Sequence, residues 1–408
     1  MSSALFDGHV MTPEQIRSYV MQRVFKSPYG MEPELDEIIK VQGFHVHNAQ
    51  SQDDLRAKLR GMDLKWEEYK PKDSVETHFY VASTGTIHVA NPKGRQRLQR
   101  EVLLAQYLNA IIRTYPPELR GHRGVNFRVE HPNNDPGESN KRFDDMAYEL
   151  VKRAFSQVDP REISAVMMGP FESLEQALVG ERGVELGEVH EDDYLNHWFL
   201  KIDGKTVLAF DYVFADQAYD VLDKFFSLMD AHMEKVGGQK DVNVFHYGKV
   251  GALRRGIEER TLLLPSKAIE EERVRRGRNI LYHPLDNHLL TNDFAKEVFS
   301  DAVNAQGYVV FPGTTVHSIA VLDQRRDVIN RACAAGGDFI EMEWLPMADA
   351  ARIPDAKYPN IGEVRYSFAG TPSDWPLEGR TLGDTEYKRD GEVAIVRAYK
   401  EIISKSNS

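Results

Sequence analysis

The sequence predicts an α/β protein, a mixed and mostly parallel sheet flanked by helices, preceded by an α+β domain. Three observations lead there. From Arg161 onward, apolar runs of strand length alternate with longer amphipathic segments, the grammar of a sheet covered by helices. The segment before Arg161 lacks that alternation. The chain has 408 residues, more than the roughly 250–300 at which a single core stops growing. Residues 1–160 are therefore expected to form one domain and 161–408 another, with Asp159-Pro160 at the join.

In the first domain, Thr12-Pro13-Glu14-Gln15 reads as a helix start, with Thr12 as cap and Gln15 completing a capping box. Residues 51–69, rich in Leu, Lys and Glu, predict a second helix. Residues 78–90 predict a hairpin turning at Thr84-Gly85. Val102, Leu103, Tyr107 and Ile111 recur at near-helical spacing and predict a long helix over 94–115, stopped by Pro116-Pro117. A short strand over 125–129 and a helix over 143–157 complete the domain.

In the second domain, strands are expected at 163–168, 198–202, 206–210, 242–247, 261–264, 307–311, 339–342 and 363–368. Asp203-Gly204 is a two-residue hairpin turn. Helices are expected over 219–235, closed by Gly237-Gly238, and over 324–335, closed by Gly336-Gly337.

Composition narrows the function classes. Hydrophobic residues make up 41% and charged residues 28%, as in a globular protein. The net charge of −12 argues against a nucleic-acid polymer as partner. No run approaches the roughly 18 apolar residues of a membrane span, and the N-terminal residues lack a leader's basic and apolar segments. A cytoplasmic protein without a membrane partner is expected. The lone Cys333 allows no intrachain disulfide and reads as a buried small residue.

Three strand ends carry candidate chemistry. Met168-Gly169-Pro170-Phe171-Glu172 joins a strand to a helix start and sets Glu172 in its first turn. Gly248-Lys249-Val250-Gly251-Ala252, expected as a loop after the strand at 242–247, offers glycines that let backbone approach a ligand; a plain tight turn is the other reading. Glu341-Met342-Glu343 puts two carboxylates on one strand face amid apolar neighbours. Partly buried carboxylates need partners, and a sugar diol is one.

In this order the three segments resemble the nucleoside phosphorylase/nucleosidase superfamily, over roughly residues 163–382. The resemblance implies cleavage of an N-glycosidic bond in a nucleoside or nucleotide, no cofactor, and a homo-oligomer. It implies that Glu343 binds the ribose hydroxyls with Met342 packed on the sugar, that Gly248, Lys249, Gly251 and Glu341 line the site, and that Glu172 orients the attacking water. Lys249 suits an anionic substrate, as in AMP-nucleosidase-like members, which also carry an added N-terminal domain; a solvent-facing lysine is the other reading. Two departures stand out. Phe368 or Ala369 falls where purine nucleosidases of the superfamily place an acidic proton donor, leaving Asp374 as the nearest candidate. The early loop holds no arginine, and residues 211–216 carry two acids that repel phosphate. Hydrolysis is therefore expected over phosphorolysis, with a non-catalytic nucleoside-binding protein as the rival reading.

Other features have two readings each. His45-Val46-His47 sets two imidazoles on one strand face, yet no third ligand lies nearby in sequence, so no metal is expected. His283 and His288 fall in the stretch where the superfamily contacts base or partner. Arg113, Arg120, Arg123 and Arg128 suit an anion or solvent. Residues 270–276 read as an exposed charged helix. Trp344 and Trp375 either stack on a base or fill core.

Overall fold

The computed structural model describes residues 43–47, 49, 52–69, 78–90, 126–129, 136–190, 195–211, 216–270, 281–317, 326–375 and 389–406. The expected helices at residue 12 and over 94–115, and Arg113, Arg120 and Arg123, lie outside them. The chain divides into two compact units, Met1–Phe143 with Ala320–Arg326, and Asp144–Ile319 with Asp327–Ser408.

The described part of the first unit contains β1 (Gly43–His47), α1 (Gln52–Gly61), β2 (Glu67–Tyr69), β3 (His78–Val81), β4 (Thr86–Ala90) and β5 (Asn126–Val129). The strands form one sheet in the order β2-β3-β4-β1-β5. β1 is parallel to both β4 and β5. Leu55 and Leu59 of α1 pack with Phe79 of β3 and Ala49. The helix expected over 51–69 is shorter than its composition suggested. It ends at Gly61, Asp63 takes a left-handed φ of 52°, and residues 67–69 pair with β3 as a strand.

α2 (Pro136–Phe155) begins ahead of the expected start at 143. Ala147, Leu150, Val151 and Ala154 belong to the second unit's core, so the division by contacts falls at 143/144 rather than at 160.

The second unit continues with β6 (Ile163–Met168), α3 (Phe171–Leu178), β7 (Val184–His190), β8 (His197–Ile202), β9 (Lys205–Phe210), α4 (Asp216–Val236), β10 (Lys240–Ala252), β11 (Thr261–Glu270) and β12 (Tyr282–Pro284). It ends with α5 (His288–Thr291), α6 (Asp293–Asn304), β13 (Val309–His317), α7 (Arg326–Ala334), β14 (Phe339–Glu341), α8 (Trp344–Lys357), β15 (Ile361–Asp374) and α9 (Asp390–Lys405). Its strands form one mixed sheet, β12-β11-β13-β14-β10-β6-β9-β8-β7, with β15 pairing both β10 and β11. The β6–β9, β6–β10, β10–β15, β11–β13 and β13–β14 ladders are parallel. Because β15 bonds both β10 and β11, the strands β10, β14, β13, β11 and β15 close into a ring.

Alternation along the strands gives the sheet two apolar faces. Val166, Met168, Leu208, Phe210 and Val244 point to one core, shared with α2, α4 and α8. Ala165, Met167, Val207, Ala209, Phe245 and Tyr247 point to the other, shared with α3, α6 and α9. Each large side chain so buried contributes about 1.5–3 kcal/mol, which is why α4 and α9 present apolar stripes inward. The Asp203-Gly204 turn has both residues at positive φ, 47° and 78°, as a twisted two-residue hairpin requires.

Several strands outrun their sequence expectation. β10 does not end at residue 247. It continues to Ala252, so Gly248 and Gly251 lie within a strand and not in a loop. The reason is the partner: β15 runs parallel beside β10, with Gly248 opposite Gly370, Lys249 opposite Thr371 and Gly251 opposite Asp374. β11 reaches Glu270, the first residue of the expected charged helix, and residues 271–276 lie outside the described residues. β13 reaches His317 and takes Gly313 into its ladder. Among the described residues, no helix is long and apolar enough to cross a membrane.

Candidate active site

The Glu-Met-Glu segment sits where the ring of strands meets a helix. β14 contributes only three residues, and Glu341 is its last. The chain then bends through Met342 and Glu343 into α8. Glu341 and Glu343 therefore do not share one regular strand face. Glu341 turns back onto the helix start, and its Oε2 accepts the backbone N–H of Glu343 and of Trp344, each at 2.6 Å. These are donors that a helix N-terminus leaves without intrahelical partners. Thr315 Oγ1 donates to its Oε1 at 3.3 Å, and His317 Nδ1 stands 3.9 Å from the same oxygen. His317 is directly opposite Glu341 in the β13–β14 ladder.

Glu341 is 4% exposed and Glu343 6%. Burial, reinforced by the neighbouring charge of Glu343, pushes the Glu341 carboxyl up to about 8, against the pull of its backbone and threonine hydrogen bonds. Burial holds His317 down at about 4. At neutral pH the interior of the segment thus pairs a protonated Glu341 with a neutral His317. Met342 is buried beside it.

Trp344 anchors the bend from behind. Its indole is fully buried, stacks on Phe368 at 6.3 Å between centroids, and donates Nε1–H to His246 Nδ1 at 2.9 Å. Burial lowers His246 to about 3, which leaves it the neutral acceptor that this bond needs. Gly370 makes the room: a Cβ there would lie 2.8 Å from Val250 Cγ1 and 3.1 Å from Trp344 Cζ2. Trp344 therefore fills core rather than stacking on a base. Trp375 does likewise, 2% exposed and donating Nε1–H to the Ile257 carbonyl.

Glu172 lies at another strand end. β6 stops at Met168, and Gly169 takes φ +156° where a Cβ would come within 2.4 Å of the Tyr247 carbonyl oxygen. α3 then begins, with Glu172 in its first turn. β10 stands between β6 and β14 in the sheet, so Glu172 follows a strand two spacings, roughly 10 Å, from the one that carries Glu341. Its side chain is 63% exposed and pairs with Arg389 at 3.4 Å. Asp211 Oδ1, at the end of β9, accepts the Phe171 N–H at 3.3 Å. An acid already occupies the start of α3, the kind of position that otherwise attracts an anion.

The remaining candidates are placed as follows. Lys249 is half-buried on β10. Asp374 is the last residue of β15, in register with Gly251, while Phe368 and Ala369 are fully buried. His283 pairs with Glu270 at 2.8 Å across β11 and β12. His288 starts α5, and burial lowers its affinity for a proton. Cys333 is half-buried and its thiol donates to the Leu253 carbonyl at 3.6 Å; burial pushes it up to about 11, so it is no nucleophile at neutral pH. Sequence reasoning missed His246, Thr315 and His317. His246 lay in an expected apolar strand, and Thr315 and His317 lay beyond the strand expected at 307–311, so nothing in the sequence hinted at what they face.

No protein-family model matches the chain, and no curated relative matches it in sequence. Among solved structures, the fold is distantly similar to purine nucleoside phosphorylase of Schistosoma mansoni, at 12% identity and a TM-score of 0.43, covering 65% of this chain and 97% of that one. It is similar to 5′-methylthioadenosine/S-adenosylhomocysteine nucleosidase of Neisseria meningitidis at 12% identity and a TM-score of 0.41, over 60% and 99% of the two chains. Futalosine hydrolase of Helicobacter pylori matches at 12% identity and a TM-score of 0.39, over 60% and 98%. Likeness at this level assigns neither substrate nor reaction.

Proposed function

We propose that the second unit is a hydrolase that cleaves the N-glycosidic bond of a nucleoside or nucleotide, with the sugar held at Glu341-Met342-Glu343. The observation that carries this reading is the division of labour between the two acids. Glu341 is spent on the α8 start, which fixes the bend, and Glu343, buried beside it, is the acid we assign to the sugar. A charged, buried acceptor beside an apolar methionine suits a ribose diol over its apolar ring face.

In the reaction, water attacks the anomeric carbon as the bond to the base nitrogen breaks. The base leaves with a proton, and the ribosyl cation character of the transition state is offset by nearby negative charge. Glu172 is our candidate for orienting the water and Asp374 for protonating the base. Lys249 favours a substrate that carries a phosphate. Asp211 at the start of α3 supports water over phosphate as the nucleophile, since a carboxylate there repels a second anion. We infer a small-molecule ligand, a homo-oligomer from the superfamily resemblance alone, and a cytoplasmic location from the sequence pattern.

One observation favours a second reading, a nucleoside-binding protein without turnover: Phe368 and Ala369 are buried and apolar, and Glu172 is exposed and engaged with Arg389. Both readings share the sugar site. Replacing Glu343→Gln removes the charged acceptor and is expected to weaken ribosyl-ligand binding about ten- to hundredfold per lost bond, as read by calorimetric titration. Unchanged affinity would remove Glu343 from the site and both readings with it.

A further inference from the structure

The first unit carries a cluster that the glycosidase reading does not use. His45 and His47 alternate with Val46 on β1 and so share a face. The parallel ladder with β4 sets His88, distant in sequence, directly opposite His45. His88 is in turn opposite Phe79 of β3, and directly paired residues project to one side of a sheet. The three imidazoles therefore lie on the face that Phe79 presents to Leu55 and Leu59 of α1. His47 is wholly buried and His88 is 6% exposed. The rings crowd one another, with centroids 3.8 Å apart for His45 and His47, 5.0 Å for His47 and His88, and 5.5 Å for His45 and His88.

We propose that His45, His47 and His88 form a binding site for a divalent transition-metal ion of the zinc class. One ligand nitrogen from each residue lies within 4.8 Å of the other two, and His47 Nε2 stands 2.7 Å from His88 Nδ1. A tetrahedral ion with nitrogen ligands at about 2.0–2.1 Å sets those nitrogens roughly 3.3 Å apart. That value lies between the 2.7 Å of the close pair and the 4.8 Å within which all three nitrogens fall, so side-chain rotation brings the donors to an ion without moving the strands. In the close His47–His88 pair one imidazole nitrogen donates and the other accepts. The neutral form is the one that ligates metal. Among the described residues the cluster holds three imidazoles and neither thiolate nor carboxylate, a set that selects zinc, copper, nickel or iron over magnesium or calcium. Three protein ligands leave a fourth position for water or another group. The ion would join β1 to β4 from the α1 side and bind only the folded unit, which links metal to stability.

The test uses the full chain without an affinity tag, stripped with chelator and dialysed. Titration with Co2+ followed by visible absorption, and with Zn2+ followed by metal analysis, is expected to give one ion per chain, four-coordinate cobalt bands, and a raised midpoint of thermal unfolding for the first unit. His88→Ala is expected to weaken binding at least about tenfold. His45→Gln, at the least buried of the three positions, does the same in a chain whose circular dichroism matches the parent, which guards against a variant that fails to fold. The chain has 14 histidines, so the triple variant His45→Gln/His47→Gln/His88→Gln gives the background. Wild-type binding no stronger than this background, or binding left intact in both single variants, would overturn the site.

Discussion

Glu341→Gln separates the two roles of the buried acid pair. In the fold Glu341 keeps its proton up to about pH 8, whereas the unfolded chain releases it near 4.5. Between those values the folded state holds a proton that the unfolded state has lost, so stability falls as pH rises across the window. The contribution is complete below pH 4.5 and gone above about 8. At about 1.36 kcal/mol per pH unit the loss across the window amounts to roughly 5 kcal/mol. Glutamine has the shape of the protonated acid, and its carbonyl oxygen still accepts from Glu343 and Trp344. The variant should match wild type near pH 5 and gain on it steadily to pH 8–9. Urea unfolding followed by tryptophan fluorescence at half-unit steps from pH 5 to 9 measures the difference, in which the titration of groups away from the acid pair cancels. Parallel stability curves for the two proteins would refute the reasoning, because they would mean that Glu341 is ionised in the fold throughout.

Other consequences follow from the packing behind the bend. Gly370→Ala forces a methyl against Val250 and the Trp344 ring; it should cost about 1–3 kcal/mol and appear as a lower unfolding midpoint by calorimetry. His246→Phe removes the acceptor of the Trp344 indole N–H in a site without exposure. It should cost about 1–3 kcal/mol for the stranded donor and shift tryptophan emission, while an unshifted spectrum would argue that the bond is not made in solution.

How far the sequence disclosed this structure depends on how local each determinant was. The Asp203-Gly204 hairpin and the helix at 219–235, observed over Asp216–Val236, rest on turn chemistry and 3.6-residue periodicity within a single segment. β7, whose residues are all exposed or half-buried at the sheet's edge, left too little apolar signal to be read. The extension of β10 through Gly248 and Gly251 depends on β15, which lies far downstream in the chain, and nothing near Gly248 announces it. The Glu-Met-Glu motif was visible as a pattern. Its internal division was not, because the capping role of Glu341 follows from where β14 stops and α8 starts. In the histidine cluster, His47 and His88 belong to different strands, remote in sequence, and meet only through the β1–β4 register.

The central claim is tested most directly by incubating the purified chain with a panel of nucleosides and 5′-nucleotides, with and without phosphate, and following free base by chromatography. Hydrolytic cleavage predicts base release that does not require phosphate and that is lost in Glu343→Gln. Release that depends on phosphate would contradict the role given to Asp211, and ligand binding without any release would leave the second unit a nucleoside-binding protein.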